Sequence, residues 1–486
     1  MDKAMAHIEL SDRDRSITMI GILTAMFLAA LDQSIVTPAM PTIGGELGDP
    51  QYLPWIVTAY LLASTAVAPL YGKISDIYGR RLTLYAALGL FLVGSVISAL
   101  SPNIFVLIAG RTVQGIGGGG LFALSQIIIG DMLPPKERGR YSAWISGMWA
   151  VAGIAGPLLG GTLAEWHWSL IFWLNLPLGA VAMLVINNPL KKLHTAARAH
   201  RLDYLGSILL VVATALLLLM LNWGGATYPW TSPLIVGMGV VSLVLWVAFG
   251  VRLSRAPEPL VSVEVLSSPI VLAGCFAMFM VAAVNVGLAV YLPVYGQAHL
   301  GLSPAGSGYA LLGFLLGTTF GATISGQLTL RVVRVKWIAI IGSAVCVLAL
   351  IVLGLLAAQT SLLVFEAVLA VAGLGLGSTF PVTTVCVQNG VDQKHLGVAT
   401  GMLTFLRSLG AALGVAVLGA IALGFGIPLG AESGGGIAHV SDTFPFSVLF
   451  YANAAMMAAG AVILVLMPHK ALRGRNDAAP VPAAAE

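Results

Sequence analysis

Four ionisable side chains stand inside long uncharged stretches of this 486-residue chain: Asp32, Arg111, Glu366 and Arg407. In hydrocarbon a charge costs at least about 2.5 to 3.5 kcal/mol, so each needs a partner, water or a task. A carboxylate so placed can take up and release a proton, or trade one cationic partner for another. A nearby cation favours its charged form and desolvation its neutral form. Asp32 is therefore a candidate to alternate between a proton and either Arg111 or a cationic ligand. Glu366 is a second candidate protonation site, or a vestibule charge that attracts cations. The competing readings are structural: a fixed ion pair for Asp32 and Arg111, and an interfacial carboxylate reaching the headgroups for Glu366.

The elements that must position these residues follow from composition. Apolar residues make up 58% of the chain and charged residues 9%, with a mean hydropathy of +0.94. A soluble domain needs roughly 25% charged residues to face water, so a soluble fold is excluded. Uncharged runs long enough to cross a bilayer as helices recur throughout. Fourteen are expected, near 17 to 39, 51 to 71, 82 to 101, 103 to 126, 142 to 163, 169 to 188, 204 to 222, 232 to 251, 269 to 293, 305 to 328, 337 to 357, 361 to 387, 397 to 424 and 445 to 467. The first is too long for a cleavable leader and is expected to stay in the mature chain, ending in an outer turn at Pro38 and Pro41. The fold class is an all-α integral membrane protein.

Lys and Arg fix its orientation, because positive loops stay cytoplasmic. With the N-terminus inside, 22 of 24 fall in cytoplasmic segments, and the other two are the buried Arg111 and Arg407. Glu46, Asp49, Glu432 and Asp442 fall outside. Both termini are thus expected in the cytoplasm and the protein in the plasma (inner) membrane. The net charge of +4 is absorbed by topology and gives no reason to expect a nucleic-acid partner. Cys275, Cys346 and Cys386 each lie in an apolar run, which leaves no disulfide framework and no metal site. No phosphate-binding loop occurs, so ATP-driven transport is disfavoured and no cofactor is expected. At 1.5 Å per residue, Asp32 lies roughly 10 Å and Arg111 roughly 12 Å from the outer surface, so the two can meet. Glu366 lies roughly 8 Å from outside and Arg407 about 15 Å from inside.

Glycine-marked segments recur in order. Gly72 and Gly326 are 254 residues apart, Val113-Gln-Gly-Ile-Gly-Gly-Gly and Val371-Ala-Gly-Leu-Gly-Leu-Gly 258, and Gly147, Gly156, Gly160 and Gly401, Gly410, Gly414 again 254. One near-constant offset argues for two six-helix halves in the same orientation, with spans seven and eight inserted between them. Parallel halves about an axis normal to the membrane, with a site at their interface, are a transporter architecture.

Four segments carry a family resemblance. Gly72-Lys-Ile-Ser-Asp-Ile-Tyr-Gly-Arg-Arg resembles the loop 2-3 signature of the major facilitator superfamily, and Arg111-Thr-Val-Gln-Gly its span-four signature. Gly153-Ile-Ala-Gly-Pro-Leu-Leu-Gly-Gly is similar to its antiporter motif, and Leu31-Asp-Gln-Ser-Ile-Val-Thr-Pro to span one of the fourteen-span drug:proton antiporters of EmrB/QacA type. The run Trp168-Ser-Leu-Ile-Phe followed by Asn175-Leu-Pro-Leu-Gly lacks that family's arginine. The resemblance implies the major facilitator fold, proton coupling through Arg111, and a conformational latch at Gly72, Asp76, Gly79 and Arg80. It also implies a sealing contact at Gly153, Gly156, Pro157 and Gly160.

Domain boundaries follow: a cytoplasmic arm 1–16, a first bundle 17–188, a loop 189–203, two additional helices 204–251, a loop 252–268, a second bundle 269–467 and a tail 468–486. Arg407, in the second-half counterpart of the antiporter motif, is expected to pack and gate. Substrate is expected to meet Asp32, Glu366, Asn285, Tyr60, Trp149 and Tyr291, with Trp55, Phe276 and Phe380 as further candidates. An apolar cavity with one or two carboxylates suits lipophilic cations. The expectation is a secondary transporter rather than an enzyme, a multidrug exporter exchanging such compounds for protons. The alternative is an exporter of one antibiotic or metabolite.

Overall fold

The computed structural model describes residues 12–48, 52–192, 202–225, 227–302, 311–357, 361–392, 395–425, 427 and 443–472. The N-terminal arm as far as residue 11, the start of the expected tenth span, most of the outer loop near 425 to 444, Lys394 and the tail beyond 472 lie outside them. The described residues form sixteen helices and no strand. The first half holds α1 (Asp12–Leu47), α2 (Leu53–Tyr78), α3 (Arg80–Ala99), α4 (Ile104–Met132), α5 (Pro135–Trp166), α6 (Leu170–Trp173) and α7 (Asn175–Lys192). Between the halves come α8 (Tyr204–Trp223), α9 (Pro233–Arg255) and the short α10 (Val263–Ser267). The second half holds α11 (Pro269–Ala298), α12 (Leu312–Leu328), α13 (Lys336–Leu356), α14 (Leu362–Gly390), α15 (Leu396–Gly424) and α16 (Phe444–Leu466).

Thirteen of these are long and apolar enough to cross a membrane. The expected tenth span is α12, whose described part has 17 residues. Local chemistry sets the ends. The Asn103 side chain accepts from the Val106 N–H at the start of α4, and Asp203 accepts from the Gly206 N–H at the start of α8. Gly79 is the single residue between α2 and α3, and its φ of 88° favours glycine. The outer turn expected at Pro38 and Pro41 is not there: α1 runs on to Leu47. The two prolines only deprive the Ser34 and Thr37 carbonyls of their usual donors.

The internal repeat reappears in the packing. In the first half α1 packs on α5 and α7, and α4 on α2 and α3; in the second, α11 packs on α15 and α16, and α14 on α12 and α13. Glycines make these contacts. A Cβ on Gly115 would meet the Tyr60 carbonyl oxygen at 2.4 Å, and one on Gly373 that of Phe314 at 2.3 Å. Gly117 sits 2.5 Å from the Ala87 carbonyl oxygen and Gly375 2.4 Å from that of Gly342, measured in the same way. Small residues let helix backbones approach this closely, which is how helices associate in lipid. The halves meet along α2 with α15 and α5 with α12, two contacts exchanged by the repeat. The additional helices pack as a pair, with α8 against α2 and α15.

Candidate functional site: an ion pair inside the first half

Asp32 on α1 and Arg111 on α4 meet, as their depths predict, and both are buried. Arg111 Nη1 donates to Asp32 Oδ2 at 2.5 Å. Asp32 Oδ1 accepts from Gln114 Nε2 at 2.7 Å and from Asn175 Nδ2 at 2.9 Å. Both amides also donate to Ser95 Oγ, at 2.8 and 3.0 Å. Arg111 is held further by the Ile56 carbonyl at 3.0 Å and by Gln114 Oε1 at 2.7 Å. Its guanidinium stands 4.5 Å from the centre of the Tyr60 ring and 5.8 Å from that of Phe172. Donors from α4 and α7 therefore surround the ionised carboxylate, and the pair ties α1, α2, α3, α4 and α7 together. Charge-assisted bonds of this kind are roughly twice as strong as neutral ones.

Sequence reasoning points to Asp32, Arg111 and Tyr60 and misses Ser95, Gln114 and Asn175 as ligands of the carboxylate. The first half alone carries this chemistry. At the repeat offset of 258, Leu369 stands opposite Arg111 and Ala372 opposite Gln114.

A second polar cluster joins the halves at their cytoplasmic ends. Arg80 pairs with Asp76 at 2.5 Å and with Asp131 at 2.7 Å, and donates to Ser75 Oγ. Gly397, at the start of α15, lies against this group: a Cβ there would be 2.7 Å from the Asp76 carboxylate. One on Gly72 would be 2.5 Å from the Gly397 carbonyl oxygen. Arg138 caps the end of α4 through the Leu133 and Gly130 carbonyls and crosses to Gln388 Oε1 at 3.2 Å. Burial lowers the Arg138 pKa to about 10, against the attraction of Asp131, so it stays charged at neutral pH. The four latch residues are thus together, while Asp131, Arg138 and Gln388 come as additions. On the outer side the large apolar clusters each belong to one half only.

The other expected site residues disperse. Gly156 and Gly160 press on α1, within 1.9 Å of Ser34 Oγ and 2.2 Å of the Ile35 carbonyl oxygen for an added Cβ. Gly153 and Pro157 are exposed and take no part in that contact, because they point away from α1. Glu366 lies in the other half, away from Asp32, and accepts from the Gly313 N–H at 3.2 Å, joining α14 to α12. Trp149 stacks on Phe122 with centroids 5.2 Å apart, and Trp55 meets Trp223 edge-on. Phe276 is exposed. Tyr291 donates to the Val415 carbonyl at 3.2 Å and borders a crevice of about 220 Å³ between α11 and α16. Asn285 is half-buried on α11. Arg407 faces Phe380, 5.9 Å from its ring centre. Among the described residues no three His, Cys, Asp or Glu side chains are placed to share a metal ion.

Two parallel helical halves, a buried ion pair in one of them and a latch between them define a multi-pass membrane transporter rather than an enzyme. The family model of the Major Facilitator Superfamily matches residues 22–415, and the chain belongs to that family. It is 31% identical to the multidrug transporter protein MdtP of Bacillus subtilis, over 84% of this chain and 75% of that protein. It is 30% identical to multidrug resistance protein 3 of the same organism, over 83% of this chain and 78% of that one. The fold is shared with the human organic anion transporter MFSD10, with a TM-score of 0.66, 18% identity, and coverage of 93% of this chain and 99% of that one.

Proposed function

We propose that this protein is a secondary active multidrug efflux transporter, a fourteen-span drug:proton antiporter of the plasma membrane with both termini in the cytoplasm. The relatives named as multidrug transporters, at about 31% identity, support efflux. The observation that carries proton coupling is the Asp32–Arg111 pair, the charge-compensated carboxylate within the described part of α1. A proton on Asp32 cancels the attraction that binds α1 to α4 and leaves Arg111 on Gln114, the Ile56 carbonyl and the Tyr60 ring. The proton therefore changes the relative stability of the states between which the halves rock. Because Asp32 is fully buried while the cytoplasmic ends are joined, exchange of that proton requires the halves to move.

Coupling is assigned to Asp32 and Arg111, and Glu366 is given the task of holding α12 to α14 at the outer mouth. Lipophilic cations, the substrate class expected from the residues alone, gain Asp32 as a counter-ion only by displacing Arg111. The test is uptake into inside-out proteoliposomes under an imposed pH gradient, with cationic, neutral and anionic lipophilic compounds. Gradient-dependent accumulation of several unrelated compounds is the expected result. Accumulation of one compound only supports the narrow exporter, and none in any gradient overturns the proposal.

A further inference from the structure

Arg407 is the other intramembrane cation, and its surroundings differ from those of Arg111. It makes no ion pair and no hydrogen bond among the described residues, and the Phe380 ring is its neighbour. No carboxylate is placed to reach it at that depth. The acids outside the described residues all lie in loops or termini. Glu366 is on the same helix as Phe380 but 14 residues away, about 21 Å along the axis at 1.5 Å per residue. Asp32 has both oxygens engaged.

Nor does Arg407 face lipid. From Leu396 to Ala416 no residue of α15 is exposed, and the helix is enclosed by α2, α4 and α8 as well as α11 and α14. Arg407 shares a face with Gly410 and Gly414, which press on the α11 backbone at Phe279 and Ala283. Its repeat counterpart, 254 residues earlier, is Gly153, where an added Cβ meets nothing within 4 Å. The position thus faces inward, toward the space that opens between the halves.

A charge this deep is stable only with water or a counter-ion. We propose that Arg407, backed by Phe380, is the specificity-determining residue of the passage and binds the acidic group of lipophilic anionic substrates, such as a carboxylate or sulfonate on an aromatic body. This rests on the efflux reading but not on the route of the proton. Anion and proton occupy different places, so they are coupled through the rocking equilibrium and not by competition for one carboxylate. A planar guanidinium fork matches a carboxylate bidentately, and the aromatic ring beside it receives the apolar part.

The test uses three probes with one fluorophore: dansylglycine (anionic), dansylamide (neutral) and dansylcadaverine (cationic). Binding to the full-length protein in lipid nanodiscs is read by dansyl emission on tryptophan excitation, and transport in proteoliposomes. Arg407→Gln is expected to weaken dansylglycine binding at least tenfold, change dansylamide less than twofold, and leave dansylcadaverine equal or tighter. Arg407→Lys, which keeps the charge, should recover most of the dansylglycine binding. In the wild type, 2-naphthoate should displace dansylglycine and naphthylmethylamine should not, a comparison that needs no variant. Equal loss for all three probes in Arg407→Gln, or displacement by the amine alone, overturns the assignment. Should no gradient drive any probe while the charge preference in binding persists, the efflux reading fails and the anion site stands. Gradient-driven transport with dansylglycine binding unaffected by Arg407→Gln leaves efflux standing and overturns the anion site.

Discussion

Gly72→Ala is the sharpest test of the contact between the halves. Its Cβ would lie 2.5 Å from the Gly397 carbonyl oxygen, 2.9 Å from the Gly397 carbonyl carbon and 3.3 Å from the Val398 nitrogen. Ordinary contact begins near 3.4 Å, so α2 and α15 must separate by about 0.9 Å. The obstructing atoms are backbone, and no side-chain rotation relieves them. Overpacking of this kind costs typically about 1 to 3 kcal/mol. The cost falls only on the state in which the cytoplasmic ends touch, so the balance shifts toward the inward-open state by about 5- to 150-fold. A cysteine at Leu396, buried against Gly130 of the first half, reports this shift. With the three native cysteines replaced, labelling by a membrane-impermeant maleimide in inside-out vesicles should accelerate by that factor, and transport should slow. Gly147→Ala, where nothing lies within 4 Å, should change neither. Equally slow labelling in a folded Gly72→Ala protein would refute the claim that this contact closes the cytoplasmic side.

Two further outcomes follow from the polar clusters. Arg80→Ala strands the Asp76 and Asp131 carboxylates in a buried setting, which costs roughly 3 to 5 kcal/mol. The thermal midpoint of the detergent-purified protein should fall markedly, and an unchanged midpoint would contradict the pairing. Glu366→Gln keeps an acceptor for the Gly313 N–H, so transport and its pH dependence should match the wild type, whereas Glu366→Ala loses about 0.5 to 1.5 kcal/mol of stability. A Glu366→Gln protein that no longer responds to the pH gradient would return Glu366 to the proton path.

Much of this architecture is legible in the residues because lipid imposes simple rules. Uncharged runs mark the helices, and the offsets of 254 and 258 foreshadow Gly115 on Tyr60 and Gly373 on Phe314, one contact made twice. Asp32 and Arg111 are found by depth alone, since charges in hydrocarbon are few and must pair. Their companions are harder to find. Ser95, Gln114 and Asn175 are neutral, cost little in a span and recur elsewhere without consequence, although Gln114 and Asn175 stand in the runs that carry the family resemblance. Arg138 hides among the topogenic charges, because the rule that reads them assigns a side of the membrane and not a partner such as Gln388. Pro38 and Pro41 mislead for a local reason: proline removes a donor without ending a helix whose neighbours hold it.

The central claim is that the Asp32 carboxylate couples transport to protons, and Asp32→Asn tests it most directly. The amide can present its oxygen either to Arg111 or to the donors of Gln114 and Asn175, not to both, and it carries no titrating proton. Reconstituted Asp32→Asn protein should still equilibrate substrate down its own gradient while an imposed pH gradient no longer drives accumulation. Accumulation under the pH gradient at the wild-type level would contradict the account.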